Sequence, residues 1–207
     1  MGRYTGPACK LCRREGLKLF LKGDRCRMSK CAVEAGRPAP GVHGARPSKK
    51  SDYGVQLREK QRLRRFYGLQ EGQFKLFFQR ALRKRGVTGE MLLQLLEMRL
   101  DNLVFRLGFA ASRRNARQLV LHGHVTVNGR RSDVPSMTLK AGDRIEVKGR
   151  KQSQDAVKRV LDARTGELSS WLSLDKEALK GEVLRVPTRD EIAPFVNEQL
   201  IVELYSK

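Results

Sequence analysis

Between Asp101 and Asp133 the chain carries no aspartate or glutamate, while Arg106, Arg113, Arg114, Arg117, Arg130 and Arg131 all fall inside that interval. The residues from Ala110 to Ser132 also carry clear local signals. Ser112 reads as an N-cap, because a short side-chain oxygen ahead of a helical run accepts from the first unpaired amides. Gly123 reads as the stop, since glycine takes a left-handed conformation without a Cβ clash. At 100° per residue Ala116, Leu119 and Val120 share one side of that helix, and Arg113, Arg114, Arg117, Gln118 and His122 cover the other. His124 to Val127 then reads as a strand and Asn128-Gly129 as a two-residue type I′ turn, with Arg130-Arg131 opening the return limb. A short helix with one apolar and one arginine-rich face, followed by a basic hairpin, is a surface that calls for a polyanion.

The rest of the chain agrees with that demand. Lysine and arginine number 43 against 22 acids, a formal charge of +21. Such an excess destabilises an isolated compact state by self-repulsion, and an anionic partner relieves it. The net charge is +10 over residues 1–50, +6 over 51–100, +6 over 101–150 and −1 over 151–207. The last quarter is ordinary protein, and the first three quarters carry the field. The 207 residues suffice for one or two domains with a real core. MGRYTGPACK leads into charged residues instead of an apolar run, so no secretory signal is read, and Gly6 breaks the myristoylation pattern. No apolar run reaches membrane-spanning length. The expectation is a cytosolic protein with reduced thiols.

All four cysteines, Cys9, Cys12, Cys26 and Cys31, lie in the first 50 residues, spaced C-x2-C-x13-C-x4-C. Two close pairs separated by a loop are how a tetrahedral zinc site is built from two turns. A segment this polar cannot fold around a core of its own, and zinc would supply the missing folding energy. Two disulfides, four unrelated thiols, or a four-cysteine iron–sulfur cluster are the alternatives. His43, in PAPGVHG, reads as a loop histidine facing RNA, because four thiolates already complete a ligand set. Arg37 to Lys50 reads as an extended basic loop.

Ser51-Asp52 caps a helix expected to run to Tyr67 and close at Gly68. It holds Arg58, Lys60, Arg62, Arg64 and Arg65 against Glu59, with Tyr53, Phe66 and Tyr67 among them, a pattern suited to phosphate contact. Phe74, Phe77, Phe78, Ala81 and Leu82 keep the spacing of a core-facing helix. A third helix is expected from Gly89 to about Leu107, capped by Thr88, with Leu92, Leu93, Leu96, Leu100, Leu103, Val104 and Leu107 on one stripe and Gln94, Glu97 and Asp101 opposite. After the hairpin, residues 140–143 read as a turn, Arg144 to Val147 as a strand, and Gln154 to Ala163 as a helix. Trp171 to Leu174, Val183 to Val186 and Leu200 to Tyr205 read as strands.

Catalytic signatures are missing. There is no G-x-x-x-x-G-K-[ST] loop, no G-x-G-x-x-G, and none of the three histidines sits in H-E-x-x-H. His122 and His124 flank Gly123 and could serve as an acid–base pair in an RNA-cleaving enzyme. With no nucleophile or metal motif beside them, a structural or phosphate-contacting role is the better reading.

At this point the residues resemble a family. RLDNLVFRLGFAASRRNARQLVLHGHVTVNGRRSDVPS is similar to the small RNA-binding module shared by a bacterial small-subunit ribosomal protein, some pseudouridine synthases and tyrosyl-tRNA synthetases. MGRYTGPACKLCRREG, the PGVHG loop, SDYGVQLREKQRLRRFYG and VNEQLIVELYSK resemble ribosomal protein four of the bacterial small subunit. The resemblance implies an α+β chain: a zinc-bound irregular segment (1–46), a helical rRNA-binding domain (47–98), a small α/β RNA-binding module with an antiparallel sheet (99–165), and C-terminal strands completing the core (166–207). It implies direct binding of the 5′ domain of 16S ribosomal RNA, nucleation of the body of the 30S subunit, and an effect on translational accuracy. The implied partners are neighbouring ribosomal protein five and messenger RNA near the entry channel, without a membrane or small-molecule substrate. Keeping all four cysteines favours a zinc-bearing member. Arg113, Arg114 and Arg117 are the expected principal phosphate contacts, with Ser112, Gln118, His122, His124, Asn128, Arg130 and Arg131 around them. Ser51, Tyr53, Arg58, Arg62 and Arg65 form a second patch, and Arg3, Lys10, Arg13 and His43 a third. The rival readings are an RNA-modifying enzyme carrying the same module and a zinc-containing DNA-binding factor.

Overall fold

The structure is a computed structural model that describes residues 2–45, 49, 51–148, 151–163, 167–192 and 195–206. Arg46 to Ser48 and Lys50, in the expected basic loop, lie outside the described residues. The chain divides into two compact units, Met1–Leu92 with Ala193–Lys207, and Leu93–Ile192.

The first unit begins with α1 (Ala8–Glu15) and a 3-10 turn (Gly23–Cys26). The cysteine segment is therefore not irregular as expected: Pro7 opens α1, Gly16 in the left-handed region closes it, and Ala8, Cys12 and Glu15 are buried along one side. Then come α2 (Asp52–Phe66) and α3 (Glu71–Leu82). The Ser51 side chain accepts from the Gly54 amide, so the expected cap is formed. Phe74, Phe77, Phe78 and Ala81 are buried, as their spacing requires, whereas Leu82, expected on the same face, ends the helix exposed.

The final element of this unit corrects the sequence reading. Leu200 to Tyr205 is not a strand but belongs to α8 (Glu198–Tyr205), so the segment 166–207 is not a set of strands throughout. A short apolar run does not by itself distinguish strand from buried helix. Two things decide it here. The Asn197 side chain caps the helix by accepting from the Gln199 amide, and α8 packs on α2. Gln56 donates to Glu203 at 2.8 Å, and the Tyr205 ring stacks on Phe78 with centroids 4.5 Å apart. The Tyr205 hydroxyl donates to Glu71 at 2.8 Å and Lys60 reaches the same oxygen at 2.5 Å.

Burial disfavours charge on Glu71, but the hydrogen bonds from Lys60 and Tyr205 outweigh it and hold the carboxyl below its ordinary range. A depressed carboxyl adds stability above its unfolded pKa, and that contribution is lost as pH falls through the folded value. The melting temperature should therefore fall as pH drops below about 4.3, the ordinary glutamate value. Glu71→Gln should flatten part of that fall; an identical profile in melts of both proteins between pH 6 and 2 would refute the assignment.

The second unit holds α4 (Thr88–Glu97, which begins in the first unit), α5 (Leu100–Arg106), α6 (Arg113–Leu121), β1 (Val125–Val127), β2 (Arg130–Arg131), β3 (Arg144–Val147), α7 (Lys151–Asp162), β4 (Leu172–Asp175) and β5 (Lys180–Val183). The expected helix from Gly89 to Leu107 is two helices. Arg99 takes an extended conformation, φ −70° and ψ 140°, and pairs as an isolated bridge with Thr138. The Leu100 amide donates to Met137 at 2.8 Å and the Leu139 amide to Met98 at 2.9 Å. Backbone partners from the following segment thus replace the helical bonds at the break, which propensity alone does not reveal.

The sheet runs β2-β1-β3-β5-β4, every pair antiparallel. Asn128 and Gly129 both have positive φ, 50° and 80°, as the two-residue turn demands. β5 lies earlier than the expected Val183 to Val186, because Lys180 to Glu182 pair with β3 and leave Leu184 and Val186 exposed. α7 begins three residues before the expected Gln154. The core joins Leu100, Leu103, Val104 and Leu107, Ala116 and Val120, Val125, Ile145 and Val183, with Val157, Leu161 and Trp171 against them. Burying such aliphatic side chains contributes about 1.5–3 kcal/mol each, which fixes α5 and α6 on the sheet.

Candidate nucleic-acid interface

α6 presents the expected faces. Ala116 and Val120 are fully buried, Leu119 is half-buried, and Ser112 caps the helix by accepting from the Asn115 amide at 3.3 Å. Its first turn holds no acid, so Arg113 and Arg114 add to the positive end of the helix dipole. At the other end Gly123 has φ +70°, and the Arg131 guanidinium lies where a Cβ would be, 2.2 Å from that position. The His122 and His124 rings stand 6.1 Å apart across the same corner. Arg130, Arg131, Gln118 and His122 are exposed, and His124 is half-buried.

The arginines of α6 are held by α5. The Arg113 Nε donates to the Asn102 side-chain oxygen at 2.8 Å, and its guanidinium stands 4.6 Å from the centroid of the Phe105 ring. Arg117 lies 3.4 Å from a carboxylate oxygen of Asp101. That carboxylate also takes both ends of the Arg99 guanidinium, at 3.0 and 2.7 Å, in a site where Arg99 is 1% exposed. Arg106 is paired with Glu97, itself fully buried. Glu97 and Asp101, expected on the polar side of a long helix, are thus buried counter-charges. Residues i and i+2 do not face one another on a helix, so the Arg99–Asp101 pair exists only because the helix breaks at Arg99. Asn128, expected as a donor to RNA, is exposed and also braces the turn: its oxygen accepts from the Arg144 amide at 2.9 Å and its nitrogen donates to Asp143 at 2.8 Å.

In the second patch the cations are also tethered. Arg58 and Arg65 meet on Glu15 of α1, whose side chain is wholly buried, and Arg62 pairs with Glu59 one turn away. Burial pushes the Glu15 carboxyl up while Arg65 and Arg58 pull it down. Tyr53 and Ser51 are exposed. In the third patch Arg3, Lys10 and His43 are exposed, whereas Arg13 donates to the Pro38 carbonyl at 3.1 Å and Arg14 to that of Pro40 at 2.5 Å, pinning the proline loop to α1.

The cysteines come from α1 and the turns after it. Cys9 and Cys12 sit three apart on α1, Cys26 closes the 3-10 turn and Cys31 follows it; Cys12, Cys26 and Cys31 are buried and all four are free thiols. The Lys22 amide donates to the Cys26 sulfur at 3.3 Å. Burial pushes the Cys12 thiol up, the Leu19 amide opposes it, and Cys26, Cys9 and Cys31 each push it further up. Four thiols are the donor chemistry a soft divalent cation takes. Among the described residues, though, no three side chains of histidine, cysteine, aspartate or glutamate are gathered as a ligand set.

Sequence reasoning missed Asp101, Asn102 and Phe105 as the seats of the α6 arginines, and Glu15 as that of Arg58 and Arg65. The one available signal was that the nearest acid before the acid-free stretch is Asp101 itself.

A helical unit and a small α/β unit with a tethered basic helix define a class. Residues 3–97 match the family model of the ribosomal protein S4/S9 N-terminal domain, and residues 98–145 match that of the S4 domain. Small ribosomal subunit protein uS4 of Thermus thermophilus is 54% identical over 209 residues, and that of Trichlorobacter lovleyi 56% identical over 209 residues, each alignment covering the whole of both chains. Protein uS4A of Symbiobacterium thermophilum is 53% identical over 207 residues with the same coverage. The chain belongs to the uS4 family of small ribosomal subunit proteins.

Proposed function

We propose that the protein binds the 5′ domain of 16S ribosomal RNA directly, as a structural component of the 30S subunit in the cytoplasm, and performs no catalysis. The observation that carries this reading is the α6–hairpin surface, an acid-free basic stretch folded as one helix face and one hairpin, in a chain of the uS4 family. Its arginines neutralise phosphates and release counterions, so affinity falls steeply with salt. A folded RNA junction is read by shape and backbone more than by base edges. Nucleation of the body of the subunit, a contribution to translational accuracy beside ribosomal protein five, and contact with messenger RNA at the entry channel belong to the same reading. Among the described residues no helix is long and apolar enough to cross a membrane.

The same proposal assigns one zinc ion to Cys9, Cys12, Cys26 and Cys31. Bound zinc neutralises the thiolates and supplies folding energy to the segment. Two of the thiols that would hold it lie on α1 and two on the 3-10 turn and just after it, with the Leu19 and Lys22 amides donating to the sulfurs of Cys12 and Cys26. Burial of three of the four thiols supports this.

The test is competition between 16S 5′-domain RNA and duplex DNA for the full chain at equal salt, together with elemental analysis. Preference for the RNA and one zinc per chain, lost in a Cys9→Ser/Cys26→Ser variant, are expected. A preference for DNA, or a modified base appearing in naked ribosomal RNA, would overturn the functional reading. Iron with labile sulfide, or metal content unchanged in the variant, would overturn the zinc site.

A further inference from the structure

We propose that the solvent face of α3 and the turn after it form a further RNA-contact surface, carried by Lys75, Arg80, Arg83, Lys84 and Arg85. The inference rests on the RNA-binding reading above and adds a surface outside the three patches already described.

Between Glu71 and Glu90 the chain carries no aspartate or glutamate, and these five cations all fall inside that interval. All five are exposed. At 100° per residue Lys75, Leu76, Gln79, Arg80 and Arg83 share the side opposite the buried Phe74, Phe77, Phe78 and Ala81. Glu71 is the one acid of α3, and its carboxylate is taken by Lys60 at 2.5 Å and by the Tyr205 hydroxyl at 2.8 Å. Among the described residues none of the five meets a carboxylate; Arg80 has instead the Phe77 ring, with the centroid 5.4 Å from its guanidinium carbon. On α2 the opposite holds, where Arg58 and Arg65 meet Glu15, Arg62 meets Glu59 and Lys60 meets Glu71.

Cations at a helix C-terminus complement its dipole, but that effect is confined to the last turn. It does not account for Lys75 in the middle of α3, nor for the missing acids. A merely solvated helix face gains from an acid one turn away from each cation, and soluble surfaces intersperse both signs. Five cations crowded without a counter-charge repel one another, and a polyanion relieves that. Lys75 to Arg83 spans about 12 Å of helix axis, which suits a run of phosphates more than a single anion. A partner protein's surface mixes its acids with cations, whereas an RNA backbone offers negative charge alone. Leu76 and Leu82, 47% and 55% exposed, stand among the cations, as on a face that a partner covers.

Two measurements on the full chain with 16S 5′-domain RNA test this. Arg80→Gln, Arg83→Gln and Arg85→Gln together should lower the magnitude of the log–log salt slope by about 0.7–0.9 for each arginine that meets a phosphate. All three positions are exposed, so the variant should melt as the wild type does. In the unsubstituted chain, acetylation of Lys75 and Lys84 read by mass spectrometry should fall when the RNA is bound, and this arm needs no variant to fold. If the wild type shows no salt-dependent binding of the RNA, the RNA reading of the whole protein fails. If it binds, but the variant keeps the wild-type slope and both lysines react as in the unbound chain, this surface alone fails, and solvent or an acidic protein takes the place of RNA.

Discussion

Asp101→Ala should cost the second unit about 3–5 kcal/mol, the range for removing one partner of a buried ion pair. Asp101 is a counter-charge that Arg99 meets through two bonds and that Arg117 meets through a third. Arg99 is 1% exposed, so water cannot replace the lost carboxylate. The loss is a large fraction of the roughly 5–15 kcal/mol that holds a domain folded. Trp171 makes the measurement local: it is the one tryptophan of the chain, lies in the core of this unit and is 1% exposed. Urea unfolding followed by its fluorescence should show a large drop in midpoint with an unchanged slope. Asp101→Asn, which keeps the shape and an acceptor but not the charge, should fall between. An unfolding free energy within about 0.5 kcal/mol of the wild type, the range of an ordinary surface substitution, would show that the cluster is not a structural seat.

Replacing Arg113, Arg114 and Arg117 together with alanine should weaken RNA binding by several kcal/mol. Each lost phosphate contact removes about 0.7–0.9 from the salt slope, so the triple variant should be flatter by about 2–3. Arg99 stays paired with Asp101 when Arg117 is gone, so the unit should remain folded. The triple lysine variant is the control that separates charge from placement. It keeps the slope but loses affinity, because a lysine ammonium makes neither the side-on bond to Asn102 nor the stack on Phe105. A slope unchanged in the alanine variant would mean that this face is only solvated.

Much of this was legible in the residues. The caps at Ser51 and Ser112, the stops at Gly68 and Gly123, the Asn128-Gly129 turn and the phenylalanine stripe of α3 all follow from local stereochemistry, which acts over a few residues and is written in them. The helix break at Arg99 was not legible, because its cause is a backbone partner almost forty residues away at Thr138. Leu200 to Tyr205 misled for a related reason: its apolar run suits either period, and the choice is made by α2 and by the Asn197 cap.

By itself the sequence determined that the protein must present an excess of positive charge, and that one stretch must do so with no acid of its own. It also determined which faces of α3 and α6 turn inward. Those are properties of composition and of a 3.6-residue period, so no neighbour is needed to read them. The tertiary structure alone decided which cations are held, and by what. Arg117 on Asp101, Arg113 on Asn102 and Phe105, and Arg58 and Arg65 on Glu15 are pairings across separate helices. A side chain at one position cannot announce a partner that only folding brings beside it.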